Sequence, residues 1–286
     1  MHTRLFRWSV VALLVGLLVV TGSAQQAPPQ FYVVVTYLKA LPGQAAAYET
    51  YVKTTSKKFY QELANVSPNL VHWSLARVMY KGIEGFDVDY ISASVTVGPP
   101  PEPGSNSDPI YAKLGTTQAE QTKILSGLRT SVGTDVLRRV AGTSATGAGG
   151  YKEGDIRVSN LIRIKPGMAS AFVDRNVTLA QPTMQEAVAQ GDGKGWSMWS
   201  RVFPSGAATS YDAMGVTIYK DVASALGGGS NPNRGAELFM KANPGKNYAT
   251  YVANGTEYST SQRRIVTQLI ALVERTAPAG KTSDNK

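Results

Sequence analysis

Two arginines and three tryptophans sit where β-strands would aim them at shared surfaces. Trp73-Ser74-Leu75-Ala76-Arg77-Val78 and Trp196-Ser197-Met198-Trp199-Ser200-Arg201-Val202 both read as strands. Two-residue alternation puts Trp73, Leu75, Arg77 and Met79 on one face of the first, and Ser197, Trp199, Arg201 and Phe203 on one face of the second. An arginine among apolar neighbours needs a partner, because an unpaired buried charge is strongly unfavourable. Asp89 and Asp212, on the strands that follow, are the expected partners in structural ion pairs. Facing a cavity instead, Arg77 or Arg201 would clamp a carboxylate or phosphate. Trp73, Trp196 and Trp199 are core aromatics by default and ligand-stacking rings otherwise. The next strand offers Ser92, Ser94 and Thr96, matched by Gly215, Thr217 and Tyr219. Such small and polar rows leave room for a ligand in a lumen, unless helices pack closely over them. The expected ligand-binding set is therefore Trp73, Arg77, Trp199, Arg201, Thr217 and Tyr219, for a small apolar or weakly anionic ligand.

Metal chemistry finds no support. The chain has only His2 and His72, too few for a multi-histidine site. His72, within a strand, is a structural histidine or a general base. No hydrolase elbow, phosphate-binding loop or dinucleotide fingerprint is present. Gly191-Asp192-Gly193-Lys194-Gly195 lacks phosphate-loop spacing and follows a helix, whereas phosphates bind at helix N-termini. No cofactor is expected.

The chain must be held by its core alone, since it has no cysteine. Arg4 and Arg7, the apolar run Val10 to Val20 and the small residues Thr21 to Ala24 have the form of a secretory signal peptide, 1–24. That run is shorter than the roughly 20 residues of a membrane span, so the expected product is exported, periplasmic or extracellular, without a span after cleavage. The formal charge of +9 becomes +7 once Arg4 and Arg7 leave. The remaining positive residues are scattered or in pairs such as Lys57-Lys58, not the basic stripe of a nucleic-acid groove.

The elements that would position these residues occur twice. Pro42-Gly43 returns as Pro166-Gly167, 124 positions on, and the Trp-Ser runs, Asp89 and Asp212, and Arg138-Arg139 and Arg263-Arg264 keep nearly that spacing. Fixed-offset similarity signals internal repetition. Phe31 to Lys39 is Val- and Tyr-rich, a strand. Gln44 to Val66 carries Tyr48, Val52, Thr55, Phe59 and Leu63 at helical spacing. Leu70 to Tyr80 and Asp87 to Val97 read as a hairpin through 81–85, Ile110 to Val132 as a helical region broken near Gly115, and Thr134 to Ala141 as a strand. The second half repeats this: strand Ile156 to Ile164, helix Met168 to Gln190 interrupted at Pro182, strands Trp196 to Phe203 and Tyr211 to Lys220, a helical region from about Gly235 to Tyr258, and strand Ser261 to Glu274. The order β-α-β-β-α-β is that of ferredoxin-like domains. The expected class is α+β, with a lead-in at 25–30, a first unit at 31–141, a Gly/Ala/Ser/Thr linker at 142–155, a second unit at 156–275 and a disordered tail at 276–286.

The Lys165-Pro166-Gly167 turn after an apolar strand, the long helix, the Gly195-Trp196-Ser197 strand with Arg201-Val202-Phe203-Pro204-Ser205-Gly206, and the Tyr211-Asp212 strand together resemble the dimeric α/β-barrel superfamily. That group includes antibiotic-biosynthesis-monooxygenase-like, stress-responsive and haem-degrading members. The resemblance implies two tandem ferredoxin-like units closing one intramolecular barrel, a pseudo-dimeric monomer whose interior can hold a small molecule. It also implies a role for Asn160, which sits where haem-degrading and cofactor-free oxygenase relatives use an asparagine; the first-unit match is Thr36. Haem-handling relatives carry a helical histidine, and this chain has none on either long helix. The readings are thus a binding protein, a cofactor-independent oxygenase or isomerase drawing on Asn160, His72 or Tyr211, or a protein-interaction scaffold. The halves differ at Thr36 against Asn160, Leu75 against Trp199 and Tyr90 against Ala213, so one site would be asymmetric, with the second half supplying more of it.

Overall fold

The computed structural model describes residues 29–80, 86–102, 107–144, 150–206, 209–227 and 231–275. The expected signal peptide, most of the lead-in, the 81–85 connection, part of the linker and the tail lie outside these residues.

The first half comprises β1 (Phe31–Ala40), α1 (Ala45–Tyr51), α2 (Lys57–Val66), β2 (Leu70–Tyr80), β3 (Tyr90–Val97), α3 (Asp108–Lys113), α4 (Gln118–Ser126) and β4 (Arg129–Gly142). The second comprises β5 (Ile156–Ile164), α5 (Ala169–Arg175), α6 (Gln181–Ala189), β6 (Gly195–Phe203), β7 (Ala213–Tyr219), α7 (Val222–Ala225), α8 (Arg234–Ala242), α9 (Tyr248–Tyr258) and β8 (Ser259–Glu274). Antiparallel pairing orders the strands β4-β1-β3-β2 in one half and β8-β5-β7-β6 in the other. β2 then pairs with β8 and β4 with β6, and the eight strands form a closed barrel. An eight-stranded barrel is just wide enough to be filled by side chains or to hold one small ligand.

The repeated landmarks do matching structural work. Gly43 and Gly167 have φ of 75° and 79°, a left-handed turn that glycine adopts without steric cost. Asp89 Oδ2 accepts from the backbone N–H of Ala40 at 3.1 Å, and Asp212 Oδ2 from that of Ile164 at 2.9 Å, fixing the ends of β1 and β5. Each first helix is interrupted by a π-helical turn, Val52–Ser56 and Asn176–Ala180, 124 positions apart. Such one-turn insertions recur at functional sites.

Several boundaries differ from expectation. Pro182 directly follows the π-helical turn, and the helical backbone continues through it from α5 into α6. The 110–132 region is broken at Gly115, φ 70°, as expected, and holds two short helices. The second of these, α4, starts on a capping box in which Thr117 and Glu120 satisfy each other's backbone N–H. β4 already begins at Arg129, so the strand that must serve both neighbours is longer than its apolar part suggests. The 235–258 region splits at Gly245, with α9 restarting under an Asn247 cap.

Alternation separates two faces. Val33, Val35, Ile91, Ala93, Val95, Leu137, Leu161, Trp199, Met214, Val216, Ile218 and Ile265 pack together in the barrel interior. Outside, Tyr48 and Val52 cover Trp73, Leu75 and Tyr90 in the first half, and Phe172 and Ala180 cover Trp196, Met198 and Ala213 in the second. Leu137 is fully buried, so Leu137→Ala should cost about 2–5 kcal/mol in urea unfolding. Neither Gly43 nor Gly167 has an atom within 4 Å of an added Cβ. Their alanine variants should each cost only the backbone term, about 1–2 kcal/mol, and by equal amounts if the two turns are equivalent.

Candidate functional site

The barrel interior encloses a cavity of about 50 Å³ walled by aliphatic side chains, among them Val35, Ile91, Val95, Leu161 and Val216. Its polar lining consists of Tyr37, His72, Ser74, Tyr151, Arg157, Ser159 and Ser197. Arg157 projects inward because it shares a face of β5 with Ser159 and Leu161, while Ile156 and Val158 pack outward beneath Ala225. The residue is only 8% exposed, its Nε donates to Thr267 Oγ1 at 3.3 Å, and no protein group satisfies its Nη2. Among the described residues no carboxylate pairs with it. Burial pulls the Arg157 pKa down to about 10, leaving a cation at neutral pH.

His72 lines the same cavity, 5% exposed, with Nδ1 unpartnered and its ring edge-on to Tyr151 at 6.1 Å. Burial, and then the Arg157 charge, hold its pKa down at about 4. It is therefore a neutral hydrogen-bonding group near pH 7.

The two expected arginines lie on opposite faces. Arg77 is outside, donating to Gln268 Oε1 at 2.9 Å and pairing with Glu49 at 3.4 Å, with its side chain 47% exposed. Arg201 is inside, 6% exposed, and paired with Asp135 at 3.5 Å. Neither uses the expected aspartate. The reason is register: Val78 and Arg201 donate their N–H to Asp89 and Asp212 respectively, so Arg201 is the counterpart of Val78, and Arg77 that of Ser200. The two strands correspond at a constant offset of 123 (196 − 73 and 201 − 78), so an arginine 124 positions after Arg77 falls one residue further along and on the opposite face.

Arg201 cannot act as a free clamp. Its guanidinium lies 4.0 Å from the Tyr211 ring centroid and donates to the Tyr211 carbonyl. The Tyr211 hydroxyl donates to Asp135 and is 3.0 Å from that of Tyr37, which lines the cavity. Burial first, then the neighbouring negative and phenolic groups, push the Tyr211 pKa far up; burial followed by Asp135 does the same for Tyr37.

The remaining expected residues disperse. Trp199 lines the cavity and donates to Ser197 Oγ at 2.7 Å. Trp73 is on the outer face, stacked on Tyr60 at 4.1 Å and donating to Ser92 Oγ at 2.9 Å. Ser92 and Thr217 alternate with the inward Ile91, Ala93, Val216 and Ile218, so that row lies under helices and not in the lumen. Tyr219 packs outward with Ile156 and Val158. Asn160 lies between the inward Ser159 and Leu161 and is directed away from the cavity. Of the three catalytic candidates, His72 reaches the cavity, Tyr211 touches its wall through Tyr37, and Asn160 does neither. Arg157, the decisive residue, is missed by the sequence reading; the signal that could have found it is the alternation it shares with Ser159 and Leu161.

A second chamber, of about 160 Å³, lies in the first half between the helices and the outer face of the sheet. Tyr48, Tyr51, Phe59, Tyr60, Trp73 and Tyr111 line it, with Gln121 and Arg129, whose Nε is buried without a partner. Its second-half equivalent is filled by Phe172, Trp196 and Met198, with Tyr251 packed against them. Among the described residues no cluster of three or more His, Asp or Glu could hold a metal ion, and no helix is long and apolar enough to cross a membrane.

No protein-family model matches the sequence, and no curated protein is similar to it. Solved structures are similar in fold. A monooxygenase-like protein from Fusobacterium nucleatum subsp. nucleatum superposes with a TM-score of 0.52 at 10% identity, covering 88% of this chain and 97% of that one. A second monooxygenase-like protein, from Lactobacillus acidophilus, gives 0.49 at 7% identity, with 87% and 98% covered. An anthrone oxidase-like protein gives 0.48 at 8% identity, with 87% and 94% covered. At 10% identity the likeness to the first of these is one of fold alone, a mixed α+β architecture.

Proposed function

We propose that this is an exported, internally duplicated protein whose two ferredoxin-like units act as pseudo-subunits of one barrel, and that it binds a small ligand inside that barrel through an anionic group held by Arg157. The observation that carries this reading is a buried guanidinium that faces a cavity and has no carboxylate partner. Removing a charge from water is costly, and a counter-charge with hydrogen bonds is what offsets it. The protein supplies such a counter-charge to Arg201, through Asp135, and supplies none to Arg157. The aliphatic wall would receive the apolar part of the ligand, as in other small-molecule sites.

A second reading, favoured by the unpartnered Arg129 Nε among aromatic rings, is that the first-half chamber seats an aromatic molecule. Phenol should then quench tryptophan fluorescence saturably in the wild type and not in Trp73→Phe. Quenching that is linear in both would remove this reading.

In ligand-free buffer, Arg157→Met should raise unfolding stability by about 1 kcal/mol or more, because it replaces an uncompensated buried charge by an apolar chain of similar length. Native mass spectrometry of the protein purified from its source should show a retained small acid that the variant lacks. A destabilised Arg157→Met that keeps the same bound mass would mean that the arginine is structural.

His72 gives a separate pH signature. Its folded pKa of about 4 lies below the ordinary value of 6.5, so between these the unfolded chain binds the extra proton. The stabilising effect of a neutral His72 is complete above about pH 6.5 and lost as pH falls toward 4, about 3 kcal/mol in all. The stability difference between wild type and His72→Gln should shift by that amount across the interval; a constant difference would show that His72 titrates normally.

A further inference from the structure

The chemical class of the ligand can be narrowed from charge, space and wall chemistry, given the binding reading above. Among the described residues lining the cavity, Arg157 is the one permanent cation, and none is an acid. The groups facing His72 and Arg157 are Tyr151, from the segment before β5, and Tyr37 on β1, with Glu274 opposite His72 on β8. Burial raises both phenols well above neutrality. The cavity therefore presents a single positive charge, and a dianion would bring a second negative charge into it without compensation.

Space sets the next limit. A cavity of about 50 Å³ is small beside the roughly 300 Å³ and more of sites for drug-sized ligands, so the ligand must be compact. Wall chemistry sets the third. A compact inorganic ion would turn some of its oxygens toward Val35, Leu161 and Val216, where they find no donor. A molecule with one polar end and one hydrocarbon end matches both surfaces.

The geometry points to a short-chain monocarboxylate of acetate or propionate size, its carboxylate on Arg157 and its hydrocarbon end against the aliphatic wall. A planar guanidinium suits a carboxylate better than a point charge would. Nε is already engaged by Thr267, which leaves the unpartnered Nη2 edge for the ligand. Neutral His72, its Nδ1 unpartnered, supplies a hydrogen bond without a second charge.

Isothermal titration of the mature protein with formate, acetate, propionate, nitrate and sulfate, at fixed ionic strength, tests this. Acetate should bind about fourfold more tightly than formate, one buried methyl group being worth roughly that factor. Nitrate should bind more weakly than acetate, and sulfate at least about tenfold more weakly. Acetate affinity should be level between pH 6.5 and 8, because His72 stays neutral and Arg157 charged throughout. Arg157→Met should abolish binding of every anion, and Arg157→Lys should keep weak binding while losing the preference for acetate over nitrate. If no anion binds, the underlying reading of the barrel as an anion site fails. If nitrate or sulfate binds as well as acetate, and Arg157→Met removes both, the anion site stands and the monocarboxylate assignment is overturned.

Discussion

The constraint on which the rest of the structure depends is the closure of eight strands into one ring. Each half alone would be a four-stranded sheet with two open edges, β4 and β2 in the first, β8 and β6 in the second. Open edges invite pairing with other chains. Here they are paired off across the halves, β2 with β8 and β4 with β6, and the length of β4 and β8 lets each serve its own sheet and its neighbour's. Closure turns one face of every strand inward, so two-residue alternation decides which side chains meet in the lumen. Leu137 and Ile265, almost wholly buried, are buried only because the ring closes around them.

That parity makes the two halves chemically unequal although their backbones correspond. Arg157 stands 124 positions after Val33, and both face inward, so the second half introduces a cation where the first has an aliphatic group. Arg201 likewise replaces the counterpart Val78. The pairing of β5 and β6 with β7 puts these arginines toward opposite ends of the lumen, Arg157 level with Gly195 and Arg201 beyond Ser200. Asp135 of β4 neutralises one of them. The other is left to whatever enters the cavity.

How much of this was legible in the sequence follows from what kind of information each feature needs. Turns and strand cores are local: the Pro-Gly turns and the Val- and Tyr-rich β1 can be read residue by residue, whereas Asp89 and Asp212, expected to pair with Arg77 and Arg201, instead accept from the backbone at the ends of β1 and β5. The π-turns are not, because a single extra residue in a helix scarcely changes its apolar spacing. The Arg77–Arg201 equivalence failed for a related reason. The strands correspond at an offset of 123, and matching arginines 124 apart crosses from one face to the other. The serine and threonine rows of β3 and β7 were correctly seen as small, but which side helices cover depends on closure, a property of the whole ring. Arg157 was missed because a lone arginine opening the run Ile156 to Ile164 reads as the edge of an apolar strand. Only the inward direction of that face makes its charge matter.

The fold likeness and the chemistry of the cavity are separate kinds of evidence. Barrels of this architecture accept very different interiors, and function lies in the site grafted onto them. What the site does is set less by its shape than by an unbalanced charge in a medium of low dielectric. A water molecule beside Arg157 could accept a hydrogen bond from Nη2, yet it would leave the net charge where it is. The Coulomb cost of a buried cation is removed only by a negative group at contact distance. Asp135 shows how the chain does this where it must for its own stability, since one substitution at either end of that pair would strand the other. At Arg157 the aliphatic neighbours Leu161 and Val216 show no such provision. Under the proposed function the lumen is complementary to an anion before any anion arrives, and the halves need only be unequal at one residue for that to hold.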